Sequence, residues 1–210
     1  MGRPRTRKST KAMASLALKK VNLLEKQVEV KNVDFSIVDS TVAQAGFIQE
    51  LFTISQGDTS ETRDGDKVWV KRIGFNYGIR TVAASTVSGA GGYWRLLICK
   101  LPQSNTTVAI TDILESASVT SLYKKESDVK YNVVFNKVGY LGGATSVNSQ
   151  IASTQSEYIK IGQTLRIGKG YEADTSGSLI KNKMVVIMLH THEDEDMDFV
   201  LNGRVSYTDM

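Results

Sequence analysis

A chain of 210 residues with 41% hydrophobic and 23% charged side chains is long enough to bury one sizeable core, and none of its apolar runs approaches the roughly 18 residues of a membrane span. A single cysteine, Cys99, excludes an intrachain disulfide and a thiolate zinc cage; within "RLLICKL" it reads as a small core residue. The net charge of +4 is unevenly placed, because nine cations against two acids up to residue 31 make that stretch +7 and leave −3 on the rest.

The first element is therefore a basic arm, residues 1–31. "GRPRTRK" has alternating cations and no apolar anchor, and is expected to stay disordered until it meets a polyanion. From Ser9 or Thr10, either a fitting N-cap, Met13, Ala17, Val21, Leu24 and Val28 recur at helical steps and predict a basic amphipathic helix. Lys19 and Lys20 interrupt the apolar stretch, so a secretory signal is not expected. Separation of a positive arm from a slightly acidic body favours nucleic acid over a membrane surface as its partner. Arg3, Arg5, Arg7, Lys8, Lys11, Lys19 and Lys20 are the candidate phosphate contacts.

Residues 32–210 change character. β-type runs bounded by Gly, Ser, Asn and Asp follow one another: "VEVKNVDF", "GFIQELFTIS", "KVWVKRIGFNYGIRTV", "GYWRLLICKL", "VKYNVVFNKVGY", "SEYIKIGQTLRIG", "NKMVVIMLHTH" and "DFVLNGRVSYTD". Eight strands at this spacing predict an all-β sandwich or barrel, and long bent strands suit a single jelly roll. In the third run Val68 and Val70 share one parity, whereas Ile73, Phe75, Tyr77 and Ile79 share the other. A β-bulge or sharp bend is required at Lys71 and Arg72 to keep both sets inward. "MVVIML" is apolar on both faces and reads as a central strand covered on both sides. "TDILESASVTSLY" predicts a short helix with Ile113, Leu114 and Ala117 on its apolar face.

Catalytic constellations are thin. "SGAGGYW" precedes a strand, where a phosphate cradle would precede a helix, and so reads as a hairpin loop. His190 and His192 beside Glu193, Asp194, Glu195, Asp196 and Asp198 lack a third ligand at defined spacing and read as a solvated acidic turn. No serine has nucleophile-elbow context, so no enzyme is expected.

The stretch "ISQGDTSETRDGDKVWVKRIGFNYGIR" resembles a segment of small icosahedral virus capsid proteins, in which a strand ends in Gln-Gly and an R-x-G-[DN] turn opens the next long strand. The pattern is similar to that of satellite tobacco necrosis virus coat protein and of capsid proteins from circular Rep-encoding single-stranded DNA viruses. The arm followed by "LKKVNLLEKQVEVK", the strand "YWRLLICKLPQSN" and the ending "VSYTDM" extend the resemblance over nearly the whole chain. It implies an eight-stranded jelly roll that self-assembles into a T=1 shell of about sixty copies and packages single-stranded nucleic acid through the arm. "LEKQVEVKNVDF" leans towards the DNA viruses. "RPRTRK" is a short candidate nuclear signal, so the expected location is the virion, with passage through a host nucleus. Host and receptor are not legible. The alternative is a non-viral oligonucleotide-binding β-barrel with a basic extension.

The resemblance further implies that Gln56 and Gly57 close one core strand, that Gly65 supplies the turn, and that Asp209 returns beside it. It implies a calcium ion at the subunit interface, held by the carbonyls of Asp64 and Lys67 and the carboxylate of Asp209. An interfacial ion-pair network is the competing reading, since Lys67 and Arg63 are cations within the same turn. Tyr123, Tyr140 and Leu141, in or beside long connections, are candidate subunit contacts or else local loop packing.

Overall fold

The computed structural model describes residues 10–27, 29–42, 45–64, 67–81, 91–102, 107–142, 152–160, 162–167, 179–191 and 197–209. The chain divides into two units, Met1–Val30 and Lys31–Met210. In the first, α1 spans Thr10–Gln27, so Thr10 is its first helical residue, and Ser9 before it lies outside the described residues. Residues 13–21 of α1 are all exposed, including Lys19 and Lys20 and the apolar Met13, Leu16 and Val21.

The second unit contains β1 (Lys31–Val42), β2 (Phe47–Glu50), β3 (Lys67–Thr81), β4 (Gly92–Leu101), α2 (Ile110–Ile113), β5 (Asn132–Leu141), β6 (Ala152–Ile159), β7 (Gln163–Ile167), β8 (Leu179–Lys181), β9 (Lys183–His190) and β10 (Met197–Asp209). One antiparallel sheet runs β1-β10-β3-β7-β8, with β6 also on β3, and the other runs β2-β9-β4-β5. β6 pairs with Ile73–Arg80 and β7 with Lys67–Val70, so they are two halves of one interrupted strand. Counting them as one, and setting the three-residue β8 aside, leaves eight strands. The first, eighth, third and sixth form one sheet; the second, seventh, fourth and fifth form the other. That interleaving is a jelly roll.

The phase change in β3 has a definite structural origin. Arg72 pairs with Ser206 and Val70 with Tyr207, consecutive residues of β10, so Lys71 is one residue too many and forms a bulge. Val68 and Val70 before it, and Ile73, Phe75, Tyr77 and Ile79 after it, are all buried. β6 ends and β7 begins opposite the same place, so the bend interrupts pairing on both sides of β3.

The core between the sheets is stitched by aromatic edges: Phe75 meets Phe135 at 5.3 Å and Tyr77 meets Trp94 at 5.8 Å between ring centroids. Each such contact contributes roughly 0.5–1.5 kcal/mol beyond its burial. Glycine makes room for two rings. A Cβ at Gly139 would lie 2.3 Å from the Trp94 ring, and one at Gly203 would lie 2.3 Å from the Phe35 ring. A second cluster covers the far face of the four-stranded sheet. β9 therefore alternates between cores, with Met184, Val186 and Met188 facing one and Val185, Ile187 and Leu189 the other, as its unbroken apolar run predicts.

The predicted internal helix is one turn only. Ile113 and Leu114 are buried in the second cluster as expected, but the chain leaves helical geometry at Leu114 (φ −115°, ψ 152°). Local bonds compete with the helix here: Ser116 N–H donates to the Ser121 hydroxyl oxygen (2.9 Å), and a main-chain turn joins Ser121 N–H to the Ser118 carbonyl (3.1 Å).

Candidate functional site

Three features outside the core bear on function: the arm, the polar turn before β3, and the uncovered end of the β4–β5 face. In the arm, Arg3, Arg5, Arg7 and Lys8 lie outside the described residues, as does Ser9. Lys11, Lys19 and Lys20 belong to α1, and the last two project into solvent where a polyanion could reach them. Lys31, which charge alone groups with the arm, opens β1 and pairs with Tyr207 of β10.

The polar turn folds back on itself. Gly57 N–H donates to the Arg63 carbonyl and Arg63 N–H to the Ser55 carbonyl, both at 3.0 Å, while Thr59 and Thr62 close the tip (Thr59 N–H to Thr62 Oγ1, 2.8 Å). Arg63 is buried and donates to the Ile54 carbonyl (3.3 Å), so this cation braces the loop. Gly65 and Asp66 lie outside the described residues.

Asp64 and Asp209, 145 residues apart in the chain, meet here: Asp64 N–H donates to Asp209 Oδ2 at 3.4 Å. Between them sits the ammonium of Lys31, 2.9 Å from Asp209 Oδ2, 2.9 Å from Asp64 Oδ2 and 3.0 Å from the Thr62 carbonyl oxygen. Hydrogen bonds that its ammonium donates to Asp209 and then to Asp64 hold the Lys31 pKa well above the usual lysine value, so it stays charged. Asp209 Oδ1 and the hydroxyl of Tyr207 lie buried beside this cluster without hydrogen-bond partners. Calcium takes about 6–8 oxygens at 2.3–2.6 Å. Three oxygens here, Asp209 Oδ2, Asp64 Oδ2 and the Thr62 carbonyl, are engaged by an ammonium, and among the described residues no group of three or more His, Cys, Asp or Glu side chains is arranged to hold a metal ion. In this arrangement the Lys31 ammonium occupies the Asp209 carboxylate that the resemblance assigns to calcium. Lys67, the other residue implied as a ligand, opens β3.

His190 is buried and donates from Nε2 to the Val42 carbonyl at 2.7 Å, a satisfied interior histidine. Asp198 is also buried and paired with Arg80, which departs from the solvated acidic turn expected there; residues 192–196 lie outside the described residues.

On the outer face of β4, Leu97, Cys99 and Leu101 lie in the second cluster with residues of the connection between β4 and β5. That cover ends at Arg95, whose guanidinium donates to the carbonyls of Val119 (3.2 Å) and Ser121 (2.6 Å) and to Asn136 Oδ1 (3.1 Å), and sits 5.1 Å from the Tyr123 ring. Tyr123 is thus half-buried in local packing. Beyond Arg95, Tyr93 and Tyr140 meet edge-on at 5.1 Å and are exposed together with Val138, and none of the described residues of the second cluster reaches them. Among the described residues β5 is the last strand of its sheet. Tyr140 is 58% exposed, whereas its neighbour Leu141 is 3% exposed in the main core. Leu141 is accordingly a packing residue and not a surface contact, because successive side chains on a strand face opposite ways.

The fold is a jelly-roll sandwich, preceded in the chain by a basic helical arm. The chain belongs to the satellite tobacco necrosis virus coat protein family, whose model matches residues 1–189. It is a viral coat protein, and the family is not an enzymatic one. Comparison with curated protein sequences gives no match. Among solved structures it is similar to that of Desmodium yellow mottle tymovirus (8% identity, 87% of this chain and 88% of that chain, TM-score 0.33). It is also similar to turnip yellow mosaic virus (10% identity, 100% and 87%, TM-score 0.33). A third likeness is to dimeric latent PorU from Porphyromonas gingivalis (6% identity, TM-score 0.36), with 87% of this chain matched to 13% of that chain. Likeness this slight carries no functional weight, and the family match stands on its own.

Proposed function

We propose that this coat protein closes a T=1 icosahedral shell of about sixty subunits and packages a single-stranded genome, DNA rather than RNA, which its arm holds by phosphate contacts. The observation that carries the reading is the segregation of charge. With Lys31 held in the sandwich, the arm keeps eight cations against Glu25 and Glu29, a net +6, on a coat protein that is otherwise acidic. Sixty such arms bring roughly 360 positive charges, and each phosphate contact gains by releasing condensed counterions. The arm contains no Trp, Tyr or Phe, so base stacking is not available to it. Phosphate contacts read neither base nor sugar, which suits a protein that must hold a whole genome. The preference for DNA rests on the segment from Leu24 to Phe35, and passage through a host nucleus on residues 3–8. Tyr140, with Tyr93 and Val138, is the proposed subunit contact.

The experiment is deletion of residues 2–20. Full-length particles are expected to protect nucleic acid that DNase degrades once released, and truncated particles to be empty. Equal nucleic acid content in both sinks the role of the arm, and RNase-sensitive contents sink the DNA preference.

A further inference from the structure

We infer that Lys31 is this protein's own cation at the junction of the polar turn with the end of the chain, so that the junction closes without a metal ion. The inference concerns the folded subunit and holds whether or not shells form.

An ammonium has three donors, and those of Lys31 meet three oxygens at hydrogen-bonding distance: Asp209 Oδ2, Asp64 Oδ2 and the Thr62 carbonyl. The side chain is only 7% exposed, so little water competes for those donors. Two carboxylates and a carbonyl are the hard oxygen set that a divalent cation would also choose. The two occupants exclude each other. Calcium at these oxygens would sit within a few ångströms of the ammonium, and two like charges that close repel each other. A covalently attached cation is always present, whereas a bound ion stabilises only in proportion to its free concentration.

The position adds a consequence. Lys31 is the first residue of the sandwich after the arm unit, and its backbone pairs with Tyr207 near the end of the chain. Its side chain therefore ties three separate segments, β1, the turn at Thr62–Asp64 and the end of β10, at the root of the arm.

The test is thermal melting of the full-length protein, followed by circular dichroism, in millimolar calcium and in excess EGTA. The unmodified protein is expected to melt within about 1 °C in the two conditions, and Lys31→Met to melt roughly 5 °C or more lower in both. Asp64→Asn, a milder change at the exposed partner, is expected to lower the Tm by a smaller amount, again without regard to calcium, and serves if Lys31→Met does not fold. A Tm of the unmodified protein that rises with calcium or falls with chelator overturns the inference. So does a Lys31→Met or Asp64→Asn protein that melts with the unmodified one.

Discussion

Glutamate placed at two adjacent positions, 140 and 141, should have opposite consequences. Leu141 lies in the core between the sheets, and removing its side chain to the β-carbon would cost about 2–5 kcal/mol. A carboxylate left in that space adds roughly 2 kcal/mol or more even if it takes up a proton. The total, about 4–7 kcal/mol or more, is a large part of the 5–15 kcal/mol that typically holds a domain together. At about 2–4 °C per kcal/mol for a domain of this size, Leu141→Glu should lose at least ~8 °C in Tm or fail to fold. Tyr140 is exposed and gives up only its edge-on contact with Tyr93, worth roughly 0.5–1.5 kcal/mol, so Tyr140→Glu should melt within about 6 °C of the unmodified chain. Its effect falls on assembly, where a charge enters a tyrosine-lined contact and should prevent shell closure. Melting curves of dissociated subunits, paired with sedimentation under assembly conditions, separate the two. A Leu141→Glu subunit as stable as the unmodified one refutes the packing argument, and intact Tyr140→Glu shells refute the contact.

Binding of full-length protein to a single-stranded oligonucleotide should weaken with a log–log salt slope near −5 if the seven cations of residues 2–20 act together, roughly a thousandfold between 50 and 200 mM salt; a slope unchanged in the truncated chain contradicts this. Burial pushes the Cys99 thiol and the Tyr207 hydroxyl each up to about 12, from ordinary values of 9.0 and 10.0. The folded state then holds protons that the unfolded state releases, so stability should fall as pH rises from about 9 towards 12; a Tm flat across that range would disprove it. Gly203→Ala places a Cβ 2.3 Å from the Phe35 ring and 2.7 Å from the Gly74 carbonyl oxygen. It should cost about 1–3 kcal/mol, and a Tm within a degree of the unmodified value would show that the ring yields.

What was legible from residues alone was whatever a simple period records. The parity switch between Val70 and Ile73 required an extra residue, and Lys71 is that residue. The unbroken apolar run of β9 required cover on both faces, and two clusters provide it. Contacts between distant segments leave no such local trace. Lys31 counts as one more cation of the arm until Asp64 and Asp209 arrive from 33 and 178 residues away. A faint signal was present, since Lys31 shares the inward parity of Val33, Phe35 and Ile37, and a lysine on an inward face needs a partner. The same alternation, applied to Phe135, Gly139 and Leu141, would have turned Leu141 inward and left Tyr140 outside. The short α2 shows the opposite failure: its apolar spacing was right, but hydroxyl groups from Ser116 to Ser121 offered the backbone better local bonds than a helix.

The central claim, a self-closing coat with a nucleic-acid-binding arm, is tested most directly by negative-stain microscopy of the purified full-length protein with ultraviolet spectra of the same fractions. The account predicts uniform spheres of about sixty subunits whose spectrum carries the 260 nm absorbance of nuclease-protected nucleic acid. Monomers at every salt concentration, with a protein-only spectrum, would contradict it.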